Sequence, residues 1–198
     1  KENATLKLMH DTATGAGYNV AGSKGVTGGR RGHKGHLFEG GIGVPFIARW
    51  PGKIAEGEID ATSLMSAVDI LPTFCDVAKV ALPADYKGDG LSQVSVLLGE
   101  AKSKRSKALF WKSSHYLSGK ANPEDTTPGY AVVDGEWKLF TNAAGIALEL
   151  FDITKDVAEE NNLIEQQPEV VSALSAKLNT WKASLPTSPD ASCFSKHR

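Results

Sequence analysis

Nine of the chain's 20 glycines fall between Gly25 and Gly52, a density that no helix of ordinary length survives. That stretch must be a loop whose backbone can adopt left-handed conformations and come close to a neighbour or a ligand. It is also basic. Residues 24–53 carry six Lys or Arg and two His (His33 and His36) against a single acid, Glu39. Clustered backbone N–H groups with basic side chains make a concavity suited to anions. A solvated flexible loop is the competing reading of such a stretch taken alone. Downstream, IGVPFIARW (42–50) reads as a buried strand running into a Pro51-Gly52 turn, which would anchor the loop at one end.

The rest of the chain is ordinary in composition. It has 198 residues, 41% hydrophobic and 23% charged, enough for one medium domain or two small ones. Lys plus Arg (22) nearly balance Asp plus Glu (23), so no global field argues for nucleic acid or an anionic membrane. Apolar runs fall well short of the roughly 18–20 residues that span a bilayer. The first ten residues, KENATLKLMH, do not read as an uncleaved secretory signal. Cys75 and Cys193 are too few for a disulfide framework or a zinc site, and leave open one bridge or two free thiols.

Apolar residues Ile70, Leu71, Phe74, Val77 and Ala78 recur at helical spacing, with Pro72 tolerated in the first turn. This predicts a helix from about Leu71 to Lys79, with Cys75 as a small buried hydrophobe. Leu82–Gly90 reads as loop, and Leu91–Leu98 as a short helix closed by Gly99. The polar, basic AKSKRSK (101–107) is the expected boundary between residues 1–100 and 101–198. Beyond it the pattern becomes that of strands. Ala108–Trp111 is one; Tyr130–Val133 and Trp137–Thr141 flank an Asp134-Gly135-Glu136 hairpin signal; Leu148–Ile153 is another. Pro168 opens a helix to about Ser184 with Val171, Leu174, Leu178 and Trp181 on one stripe. The fold class expected is α/β, turning α+β in the C-terminal half. There about four antiparallel strands are packed by a C-terminal helix. The tail from Pro186 reads as loosely ordered.

Several chemical motifs are weak. GYNVAGSK (17–24) approaches a phosphate-binding loop but reverses the required Lys-Ser/Thr order. His33, His36 and Glu39 would share a helical face, but the surrounding glycines forbid that helix. Ser113-Ser114-His115 has a nucleophile and a base type with no signature around them. Trp111, Trp137 and Trp181 read as core. Asp152, Asp156, Glu159 and Glu160 lack the spacing of a calcium loop and read as a solvated turn.

One stretch is specific. In GGRRGHKGHLFEGGIGVPFIARWPGKI (28–54), residues Gly32, Lys34, Gly35, Phe38, Glu39, Gly40, Gly41, Ile42, Val44, Pro45, Arg49, Trp50, Pro51 and Gly52 form a pattern. It resembles the type I, formylglycine-dependent sulfatases of the alkaline phosphatase superfamily. Gly43 stands where that family usually has arginine. The likeness continues at Val68–Thr73 (VDILPT), at Ala131–Phe140 (AVVDGEWKLF), and at Leu150–Leu163, where Asp156, Glu159, Asn162 and Leu163 follow the family's Asp-x-x-Glu-x-x-Asn-Leu turn.

The resemblance implies the C-terminal part of an alkaline phosphatase-like sulfatase fold, hydrolysing sulfate esters with formylglycine and Ca2+. It makes Lys34 the catalytic cation. His36 and His115 become candidates for substrate contact, and no residue here is assigned to metal. Neither Cys75 nor Cys193 sits in the Cys/Ser-x-Pro-Ser-Arg motif that yields formylglycine, and the Asp-Asp and Asp-Asn-Gly calcium ligands are missing. The expected partners are therefore a sulfated small molecule or glycan and an N-terminal part of the enzyme. Nucleic acid and a membrane span are not expected. The resemblance is compatible with periplasmic, secreted or lysosomal-type export, and the residues fix no compartment. The alternative is a stand-alone sulfatase-derived domain that binds sulfated glycans without catalysis.

Overall fold

A computed structural model describes residues 27–102, 105–113 and 128–186. Its centre is a four-stranded antiparallel meander: β1 (Leu109–Lys112), β2 (Tyr130–Asp134), β3 (Trp137–Thr141) and β4 (Ala147–Asp152), paired in that order. The β2–β3 hairpin closes at Asp134 opposite Trp137 through Gly135 and Glu136. Gly135 has φ +61°, a conformation that this two-residue turn requires at its first position and that glycine adopts without strain.

The alternation of side chains sorts the sheet into two faces. Val132, Leu139 and Leu150 face Leu174 and Leu178 of a long helix, Pro168–Ser184, and all five are buried. Phe110 stacks on Trp181 at that interface, ring centroids 5.0 Å apart. The expected sheet and helix are thus present, with the expected stripe inward. The opposite face carries Ala131, Phe140 and Phe151, and these pack against Leu37 and Phe38 from the glycine-rich segment. The sheet is therefore covered on both sides, once by a helix and once by the loop.

Between loop and sheet lie α1 (Glu39–Ile42), α2 (Ile70–Val77) and α3 (Val94–Leu97); the long C-terminal helix is α4. Asp69, wholly buried, closes the 3-10 turn before α2. It accepts hydrogen bonds from the N–H of Ser66 (2.9 Å) and of Leu91 (2.8 Å), and pairs with Arg105 at 2.5 Å. Arg105 belongs to the polar 101–107 segment, so that segment is tied back onto α2 through a buried ion pair.

Three expectations change. Gly43–Trp50 forms no strand and pairs with none among the described residues, and residues 44–50 are exposed, Ile47 by 91%. Alternation and β-propensity set a strand only when a neighbour supplies the ladder, and none is present there. Cys75 is half-buried, not core, because Ile70, Leu71 and Phe74 on the apolar side of α2 are themselves exposed. The turn after β4 is not simply solvated, since Asp152 and Glu159 are buried.

Candidate functional site

The glycine-rich segment folds as a compact loop. The N–H of Gly40 donates to the carbonyl of Arg31 (2.7 Å), and the N–H of His36 to that of His33 (3.0 Å). Two glycines make this closure possible. A Cβ on Gly40 would lie 2.5 Å from the carbonyl oxygens of both Arg31 and Gly32, and one on Gly41 would lie 2.2 Å from that of His36. At Gly43, the position that departs from the sulfatase pattern, a Cβ would lie 2.7 Å from the Glu39 carbonyl. The short α1 turn therefore closes more tightly here than a side chain would allow on the same backbone.

Charge then fixes the loop to the sheet at both ends. Arg31 donates through one guanidinium nitrogen to both carboxylate oxygens of Glu149 on β4, 3.0 Å each. Its guanidinium lies 3.9 Å over the Phe38 ring. At the other end, Glu39 accepts from the Lys138 ammonium at 2.8 Å, and its backbone N–H donates to Glu159 at 2.9 Å. Lys138 also sits 2.8 Å from Glu159 Oε1, an ion pair made off the hydrogen-bonding axis. The side chains of Lys138 and Glu159 are fully buried. Burial pushes the Glu159 carboxyl above its ordinary range, against the pull of Lys138.

Lys34 lies between these two anchors, exposed, and no carboxylate among the described residues pairs with it. His33 and His36 flank it, their rings 4.0 Å apart. The N–H of His33 donates to His36 Nδ1 at 3.3 Å, which assigns the ring proton of His36 to Nε2. Burial, with the charges of His33 and Arg31, lowers the His36 pKa to about 4, so the ring is neutral at physiological pH. Lys34 and His36 thus lie two residues apart on the same loop. His115 lies outside the described residues, as do Ser114, Cys193 and the 17–24 segment. Among the described residues no three His, Cys, Asp or Glu converge to hold a metal ion. The described residues alone do not fit a calcium site.

Arg31, Lys138, Glu149 and Glu159 were not singled out by sequence as site residues. A signal existed for two of them, because Lys138 and Glu159 fall inside stretches that carry the sulfatase likeness. Lys138 also alternates with Leu139 on β3, which puts it on the same face as Phe140.

Comparison with known proteins identifies the family. Residues 31–184 match the family described as N-sulphoglucosamine sulphohydrolase, C-terminal. The N-acetylgalactosamine-6-O-sulfatase of Bacteroides thetaiotaomicron is 31% identical, over 77% of this chain and 30% of its own length. Human arylsulfatase A is also 31% identical, over 81% of this chain and 34% of its own. A solved Bacteroides thetaiotaomicron 6S-sulfatase, from work on the metabolism of multiple glycosaminoglycans, superposes with TM-score 0.61. It is 28% identical over 79% of this chain and 32% of its own. The four-stranded sheet with its C-terminal helix is therefore that of the alkaline phosphatase-like sulfatases. The chain belongs to the sulfatase family, and what it matches is that family's C-terminal portion. It spans about a third of the length of these relatives. No helix among the described residues is long and apolar enough to cross a membrane.

Proposed function

We propose that this chain serves the hydrolysis of sulfate esters, with Lys34 as the cation that meets the sulfate group. The observation that carries the reading is an exposed ammonium, without a carboxylate partner among the described residues, on a loop anchored to the sheet at both ends. A sulfate ester concentrates negative charge on its terminal oxygens, and more develops on the bridging oxygen as the S–O bond breaks. A positioned ammonium stabilises that growing charge without reorganising during the reaction. Losing such a preorganised group typically costs roughly 10²–10³ in turnover. His36, neutral at physiological pH, adds no second charge beside Lys34.

The sulfatase reading also carries a formylglycine nucleophile and calcium, which would attack sulfur and neutralise its oxygens. This chain has no Cys/Ser-x-Pro-Ser-Arg motif and no described cluster to fit them, so those groups would be supplied by residues other than these. The exposed apolar side chains of Val44, Phe46, Ile47 and Leu71 suit contact with that remainder of the enzyme. Relatives named N-acetylgalactosamine-6-O-sulfatase and arylsulfatase A support a sugar or aryl sulfate ester as the substrate class.

The test is sulfate release by the full-length protein carrying this sequence, assayed with 4-nitrophenyl sulfate and with 6-O-sulfated amino sugars. Release from at least one is expected, and none from the 198-residue chain alone. A full-length protein that binds these esters but releases no sulfate would contradict the reading in favour of a binding domain.

A further inference from the structure

We infer that Lys138, Glu159, Glu39, Arg31 and Glu149 are positioning residues for Lys34: the C-terminal sheet holds the cationic loop in its working geometry through two charge clamps. This rests on the sulfatase reading of Lys34. The first clamp is a closed ring. The Glu39 N–H donates to Glu159 (2.9 Å), Glu159 pairs with Lys138 (2.8 Å), and the Lys138 ammonium returns to the Glu39 carboxylate (2.8 Å). Glu39 is five residues after Lys34 and opens α1, so both its backbone and its side chain are held. The second clamp, Arg31 on Glu149, grips the chain three residues before Lys34.

Stability alone does not account for the first clamp. A buried ion pair is commonly no better than the apolar side chains that could replace it. Here one ammonium faces two carboxylates, an unbalanced arrangement that an apolar core would avoid. What the ring provides is direction. Hydrophobic contact between Leu37, Phe38 and Phe140 would let the loop slide over the sheet, whereas hydrogen-bonded charges allow one register. Lys34 itself touches neither clamp, so the five residues act only through the loop.

The test uses the full-length protein with 4-nitrophenyl sulfate. Glu159→Gln keeps an acceptor for the Glu39 N–H but removes a charge of the ring. Glu149→Gln weakens the half-exposed second clamp and leaves no buried charge unpaired, which covers the case that the first variant fails to fold. Each is expected to lower kcat at least about tenfold with KM within about twofold, as displacement of a catalytic group does. Combined with Lys34→Ala, neither should lower kcat further, because residues that work only through Lys34 cannot add to its loss. Amide hydrogen exchange at 32–42 should quicken in both variants while 130–141 stays protected. Unchanged kcat in both variants, or losses that multiply with Lys34→Ala, would overturn the inference. If Lys34→Ala is itself silent, the sulfatase role of Lys34 fails. Exchange at 32–42 then decides the clamps alone, and unaltered protection there overturns them.

Discussion

Lys34 and Lys138 carry the same ammonium in opposite surroundings, one exposed at the tip of a loop, the other sealed between two carboxylates beneath it. His36 shows how strongly that neighbourhood acts. Its folded pKa of about 4 lies below the ordinary 6.5, so between these values the unfolded chain binds a proton that the folded chain refuses. Stability is therefore full above about pH 6.5 and falls as the pH drops toward 4. Chemical unfolding at a series of pH values should show that decline, and His36→Gln should flatten it. An equal slope in the variant would place the titration elsewhere. Lys34 was legible because the pattern around it is dense in glycine and specific in order. Lys138 was not, since a lysine inside WKLF reads as a solvent-facing strand position until the loop is seen to cover that face.

At the scale of elements, the hairpin at Gly135, strands β1–β4 and helix α4 were all readable, because alternation, turn chemistry and a 3.6-residue stripe are local signals. The 42–50 segment has no paired strand among the described residues for the complementary reason: pairing is not local, and an apolar run does not state whether a partner lies beside it. Leu178 shows the weight of the legible part. It is buried at 1% exposure under the sheet, so Leu178→Ala should lower unfolding free energy by about 2–5 kcal/mol. Denaturant titration would check this, and a change below about 0.5 kcal/mol would mean that α4 is not docked as described. On the other face, Gly41→Ala sets a methyl 2.2 Å from a backbone oxygen that cannot step aside. Limited trypsin digestion should then cleave after Arg31 and Lys34 faster than in the wild type. Unaltered cleavage would show that the loop closes some other way.

For the whole molecule, the uneven burial matters most. The sheet and α4 form a core on two faces, while Val44, Phe46, Ile47, Leu71 and Phe74 stay exposed on the other half. Such a surface promotes association in solution. The 198-residue chain alone should elute in size exclusion with light scattering above its 21.0 kDa mass. A clean monomer would mean that this apolar surface is protected without a partner. The clamps join residues on either side of the segment 101–107, so the basic loop and the sheet form one packed unit although the sequence changes character between them.

Lys34, held by that unit, is the group proposed to stabilise charge on a sulfate ester during its cleavage. The most direct measurement is kcat for sulfate release by the full-length protein with Lys34→Ala beside the wild type. A loss of at least about tenfold is expected for Lys34→Ala, approaching the roughly 10²–10³ typical of a preorganised charge-stabilising group. Equal turnover in the two would contradict it.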